Sequence, residues 1–193
     1  MRLDEVRLDP VTGWCHGARH CPSPNFNPRP GDEVSLLVIH NISLPPGEFG
    51  TGKVVEFFQN RLSADEHPYF ATIAQMTVSA HFLIERDGAV TQFVSCHDRA
   101  WHAGVSAFEG REGCNDFSVG IELEGTDELP YTDAQYRSLA HLSEEIRRLY
   151  PAIVPGRIQG HCHIAPARKT DPGPAFDWAR YLSSLTSTKE ENA

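Results

Sequence analysis

The residues best suited to chemistry in this chain are a few histidines and the carboxylates that could meet them. His40 follows the apolar run Ser35 to Ile39 (SLLVI), where a buried strand would deliver a side chain to a cleft. Gly160-His161-Cys162-His163 precedes Lys169-Thr170-Asp171 in a proline-rich stretch. Imidazole is the commonest metal ligand and the usual proton shuttle. His161, Asp171 and either Cys162 or His163 are ligand types on what reads as stiff, non-helical backbone. Two imidazoles and one carboxylate would hold a tetrahedral Zn²⁺ and leave one position for water, which the metal acidifies towards neutrality. Hydrolysis of an unactivated amide also needs a general base and a group that stabilises the oxyanion. Glu122, with Glu124 as its rival, and Lys169 are the right types for those roles. Taken singly, His40 reads as a hydrogen-bonded strand-end residue, Glu122 as a solvent-facing one, and Lys169 with Asp171 as an ordinary salt bridge. The combination is what points to hydrolysis.

Other groupings are less specific. Ala100-Trp101-His102-Ala103-Gly104 offers an aromatic stacking face in Trp101 and, in His102, a polar contact or a spare metal ligand. The mirror-like Cys15-His16 and His20-Cys21 pack four ligand types into seven residues, unlike structural zinc sites, which draw ligands from two separate supports. Cys162 beside His163 suggests a cysteine nucleophile only weakly, because adjacent residues rarely orient on one another.

The elements that must position these groups are legible in part. Ser35 to His40 reads as a buried strand. Thr51 to Leu62 reads as a helix with Thr51 as cap and an apolar stripe of Val54, Val55, Phe57, Phe58 and Leu62. Asp87-Gly88 between Ala80–Glu85 and Ala89–Val94 predicts a hairpin. In Ser118 to Glu124, Val119, Ile121 and Leu123 alternate with the rest, so Glu122 points away from the apolar face. Thr132-Asp-Ala-Gln135 is a capping box opening a helix that ends before Pro151, and a short helix follows from near Pro174 or Phe176 through Trp178 and Leu182. Cys21 to Pro30, Leu44 to Gly52 and Ala165 to Pro174 read as loops. Mixed strands and helices imply a central mixed sheet covered by helices, an α+β or α/β domain.

With 193 residues the chain reads as one domain, residues 1–193, with an arm over 1–30 and a frayed tail over 184–193. Lys and Arg number 17 against 26 Asp and Glu, a net charge of −9 that repels phosphate backbones and anionic membranes. The longest aliphatic run, Leu36 to Ile39, is far short of a membrane span, and the opening MRLDEVRLDP is unlike a signal peptide. Five irregularly spaced cysteines read as reduced thiols. The expectation is a cytoplasmic protein without nucleic-acid, membrane or obligate protein partners.

Seven segments together resemble one family: VIHNISLPPGEFG (38–50), HPYF (67–70), SAHFLIERDG (79–88), RAWHAGVS (99–106), CNDFSVGIELEGTD (114–127), YTDAQY (131–136) and GHCHIAPARKTDPGPAFDW (160–178). They are similar to the zinc-dependent N-acetylmuramoyl-L-alanine amidases of type 2, closest to the cytosolic branch that acts on 1,6-anhydro-muropeptides. The resemblance implies an α+β fold of the peptidoglycan-recognition-protein type, a mixed sheet packed with helices, and one catalytic Zn²⁺. It implies His40, His161 and Asp171 as zinc ligands, Glu122 as catalytic carboxylate and Lys169 as oxyanion stabiliser. Asn41, Tyr69, Trp101 and His102 would line the substrate groove. It further implies cleavage of the lactyl–L-alanine amide of anhydro-muropeptides during peptidoglycan recycling, with an indirect effect on β-lactamase induction. One departure is His163, where members of that family tend to carry Asp or Asn; it adds an imidazole two residues from His161 that would compete for the metal. The competing readings are a non-catalytic peptidoglycan-binding module, a secreted wall-trimming amidase and a zinc hydrolase of another specificity.

Overall fold

A computed structural model of the chain describes residues 5–187. Its strands are β1 (Arg7–Leu8), β2 (Cys15–His16), β3 (Arg19–His20), β4 (Phe26–Pro28), β5 (Leu36–Ile42), β6 (Phe82–Ile84), β7 (Val90–Gln92), β8 (Asp98–Ala100), β9 (Ala107–Phe108), β10 (Arg111–Glu112), β11 (Ser118–Glu124) and β12 (Ile158–Gly160). The helices are α1 (Lys53–Phe58), α2 (Pro68–Ile73), α3 (Asp133–Leu149), α4 (His161–Ile164) and α5 (Trp178–Ser187). Six strands form the central sheet in the order β12-β5-β11-β6-β7-β3. It is mixed: β12, β5, β11 and β6 run parallel, β7 is antiparallel to β6, and β3 is parallel to β7.

Side-chain alternation on the two long central strands divides the core. Leu37 and Ile39 of β5 with Val119, Ile121 and Leu123 of β11 face α3 and α5, joining Leu139, Leu142, Ile146, Tyr181 and Leu185 in one cluster. Leu36 and Val38 face the other way, against Ala103, Phe117 and Ile164. On that second face, α1 and α2 cover the neighbouring strands through Val54, Phe57, Phe58 and Phe70. His40 and Glu122 therefore lie on the face away from α3. Because the sheet is covered on both sides, β11 is buried along its whole length, and Glu122 is not solvent-facing.

The hairpin forms at Gly88, whose φ of 86° suits a residue without a Cβ. The capping box forms in full: Thr132 Oγ1 accepts from the Gln135 amide, and Gln135 Oε1 accepts from the Thr132 amide. The helix expected over 51–62 is shorter. Gly52, at φ 73°, precedes it, the Thr51 hydroxyl donates to the Leu44 carbonyl, and Asn60 turns the chain at φ 56°. Leu62 reaches the same core from beyond the turn. Helix α5 runs through residues 184–187, so that part of the expected tail is helical; residues 188–193 lie outside the described range. Within the expected arm, β3 extends the central sheet and β4 pairs with β8.

Candidate metal centre and groove

The C-terminal ends of three adjacent parallel strands assemble the site, as parallel sheets commonly place theirs. In the β5–β11 register His40 stands beside Glu122, and in the β5–β12 register Gly160 stands beside Ile39, so His161 enters the space next to His40. The loop after α4 then returns Asp171 to the same point, tied by the Cys162 amide donating to the Asp171 carbonyl at 2.9 Å.

Three atoms meet there. His40 Nδ1 lies 3.0 Å from His161 Nδ1 and 3.1 Å from Asp171 Oδ2, and His161 Nδ1 lies 3.1 Å from Asp171 Oδ2. His161 Nε2 is 3.1 Å from the Ala103 carbonyl, which can only accept, and 3.4 Å from Arg168 Nη2, which already donates to that carbonyl at 2.7 Å; the nearer carbonyl puts the ring proton on Nε2 and leaves Nδ1 a bare lone pair. Three electron-rich atoms packed this closely repel unless a cation sits among them. Zinc bonds of about 2 Å in a tetrahedron space ligand atoms roughly 3.3 Å apart, close to the triangle observed. The donor set, two imidazoles and a carboxylate, suits Zn²⁺. Among the described residues this is the one group of three or more such side chains close enough to hold an ion.

Burial tunes each group. His40 and His161 are almost inaccessible, at 1% and 3% exposure. Desolvation holds His40 down at about 4, against the pull of Asp171, so it is a neutral ligand at neutral pH. Burial pushes Asp171 up, but its contacts with His161 and His40 outweigh that and hold it below the usual carboxylate range. Glu122 is raised well above its ordinary value, first by burial and then by the Asp171 charge, with Lys169 opposing. Its Oε2 is buried without a hydrogen-bond partner. Glu124, two residues on and on the same face, has both carboxylate oxygens engaged: Oε1 accepts from the Gly50 amide at 2.6 Å and Oε2 from the Arg86 amide at 3.2 Å. Of the two glutamates, Glu122 alone lines the cleft.

That cleft, about 580 Å³, contains the metal triangle, Glu122 and Lys169, and also takes in Asn41, Tyr69, Trp101 and His102. The Lys169 amide donates to the Ala165 carbonyl, while its ammonium makes no hydrogen bond or ion pair among the described residues. Asn41 Nδ2 donates to Asp127 Oδ1 at 2.8 Å, and Trp101 Nε1 to Asn27 Oδ1 at 2.7 Å. Tyr69 is 40% exposed on α2. His163 does not join the triangle. Residues 161–164 form a helical turn, not an extended segment; His163 Nδ1 accepts from the Gly160 amide and its ring packs on Trp178. Cys15, His16, His20 and Cys21 do not converge; His20 Nε2 donates to the Cys15 carbonyl. Sequence reasoning missed the groups behind the ligands, namely the Ala103 carbonyl, Asn115 and Ser118. Asn115 lies in the turn just before the strand that carries Glu122, and Ser118 opens that strand.

The chain matches the N-acetylmuramoyl-L-alanine amidase family over residues 30–174. It is 56% identical over 192 residues to the 1,6-anhydro-N-acetylmuramyl-L-alanine amidase AmpD of Citrobacter freundii, covering 99% of this chain and 98% of that one. The crystal structure of a selenomethionine AmpD derivative superimposes with a TM-score of 0.88 at 55% identity, covering 96% of this chain and 99% of that one. The Escherichia coli amidase AmiD, solved in complex with anhydro-N-acetylmuramic acid-L-Ala-D-γ-Glu-L-Lys, matches with a TM-score of 0.58 at 30% identity, over 78% of this chain and 57% of that one. A match over residues 30–174 and 56% identity across 99% of the chain mean that it belongs to the N-acetylmuramoyl-L-alanine amidase family.

Proposed function

We propose that this protein is a zinc amidase that hydrolyses the amide between the lactyl group of 1,6-anhydro-N-acetylmuramic acid and L-alanine in muropeptides, in peptidoglycan recycling. The observation that carries the reading is the His40, His161 and Asp171 triangle opening, beside Glu122, into one groove. Zinc bound there would acidify water and polarise the scissile carbonyl.

This chain's own residues supply the rest. Glu122, buried with one oxygen unpartnered, takes a proton from the attacking water and returns it to the leaving nitrogen of alanine. Its raised pKa suits both halves of that task, because a carboxyl at its ordinary value would hold the proton too weakly to deliver it. Lys169, unpaired and in the same cleft, stabilises the oxyanion as it develops. Glu124 serves as an anchor, since both its oxygens are committed to backbone amides. The groove would take the muropeptide with Trp101 and Tyr69 offering aromatic faces and Asn41, held by Asp127, a polar contact. The compartment we assign is the cytoplasm: all five cysteines are free thiols, four of them buried, which suits a reducing setting. No helix among the described residues is long and apolar enough to cross a membrane.

Asp171→Ala tests the ligand set. It should lower bound zinc and hydrolysis of anhydro-muropeptide together, while circular dichroism shows the fold retained. A variant with full zinc content and full activity would refute the assignment.

A further inference from the structure

Both histidines of the triangle are held from behind by one short loop. His161 donates from Nε2 to the Ala103 carbonyl, and His40 Nε2 lies 2.9 Å from His102 Nδ1. His102 Nε2 in turn lies 3.1 Å from Ser118 Oγ. The loop itself is pinned: Asn115 Oδ1 accepts from the His102 amide at 3.1 Å and the Ala103 amide at 2.8 Å, and Arg168 donates to the Ala103 carbonyl at 2.7 Å. The sheet leaves a slot for the ring, since a Cβ at Gly120 would lie 2.5 Å from His102. Both His102 nitrogens are thus engaged within the protein, and neither is left to face the groove.

We infer that His102 is a positioning residue for the metal centre, fixing the tautomer and orientation of His40 by accepting a hydrogen bond from its Nε2–H and donating one from its own Nε2–H to Ser118. The direction follows from the triangle. His40 Nδ1 can serve as a ligand only as a lone pair, which puts the His40 proton on Nε2. His102 must then receive it on an unprotonated Nδ1, so its own proton lies on Nε2, where the Ser118 oxygen accepts. Once His40 Nδ1 serves as a ligand, the chain of hydrogen bonds admits this arrangement alone, with the His40 lone pair aimed into the triangle. Such outer partners of ligating histidines commonly govern metal affinity by 10- to 100-fold. The role is additional to the place His102 holds in the groove lining, and it rests on the zinc-amidase reading above.

The test compares wild type, His102→Leu and His102→Asn in zinc competition against a chromophoric chelator, with imidazole ¹⁵N spectra of the zinc-loaded wild-type protein. His102→Leu removes the acceptor and should weaken zinc by roughly 10- to 100-fold. His102→Asn places a side-chain oxygen near the former Nδ1 and should recover most of that loss. At saturating zinc, the KM for anhydro-muropeptide should change less than the zinc affinity does in both. The spectra should show His40 and His102 each protonated on Nε2, a readout independent of any variant's folding. Wild-type zinc affinity in His102→Leu, a raised KM with zinc affinity intact, or a His102 ring protonated on Nδ1 would each overturn the inference alone. A wild-type protein that binds no zinc would overturn the underlying reading as well.

Discussion

Glu122 and Asp171 are both carboxylates in one cleft, yet their surroundings push them in opposite directions. Asp171 has two imidazoles against it and stays ionised; Glu122 is desolvated, sees the Asp171 charge, and has one oxygen with no partner. A folded-state pKa raised above the unfolded value of about 4.3 costs stability as pH climbs from there towards the folded value, because the unfolded chain releases the proton first. Glu122→Gln removes that cost while preserving shape. It should keep zinc, lower kcat by about 10² to 10⁴, and raise the urea midpoint of the chelator-treated protein at pH 7. A variant less stable than wild type would contradict the electrostatic reading of Glu122.

At the scale of elements, the local signals that repeat or cap were legible, and those that depend on neighbours were not. The Thr132 box sets the start of α3 from four residues alone, and Thr132→Ala should cost about 1 kcal/mol in denaturant unfolding. His40 could be picked out by its strand-end placement, Glu122 by alternation along its strand, and His161 and Asp171 as ligand types on a proline-rich stretch. Their convergence could not, since it depends on the β12-β5-β11 order, which periodicity does not encode. The short turn at 161–164 was missed because four residues carry no helical period, and α2 because its one signal, Pro68 after the His67 cap, is brief. Glu124 was a rival base in sequence and is resolved by its bonds. It ties the Gly50 end of the 44–52 loop, whose Leu44 and Pro46 wall the groove, to Arg86 beside the hairpin turn. Glu124→Ala should therefore raise KM several-fold, with a smaller change in kcat, measured by steady-state hydrolysis.

At the scale of the whole molecule, buried imidazoles link stability to pH. Burial lowers His40 to about 4 and His81 to about 3, the latter helped by the Arg29 charge, and takes His102 well below its ordinary value. Each is neutral when folded and protonates near 6.5 when unfolded. The unfolded chain therefore binds more protons as pH falls from about 6.5 towards about 4, and stability falls by up to about 1.4 kcal/mol per pH unit per histidine. Unfolding of the chelator-treated protein at pH 7 and pH 5 should show a clear drop at pH 5, and equal values would contradict this. Zinc acts in the opposite sense, because it binds the folded triangle and adds about 4 kcal/mol when free metal is 1,000 times its Kd.

The most direct measurement of what this molecule does is product analysis by mass spectrometry from an equimolar mixture of anhydro-muropeptide and ordinary muropeptide, with a chelator-treated control. Cleavage at the lactyl–alanine amide, strongly favouring the anhydro form and abolished by chelator, is the expected result. A folded, zinc-loaded sample that leaves both substrates intact would contradict it and mark the groove as a binding surface.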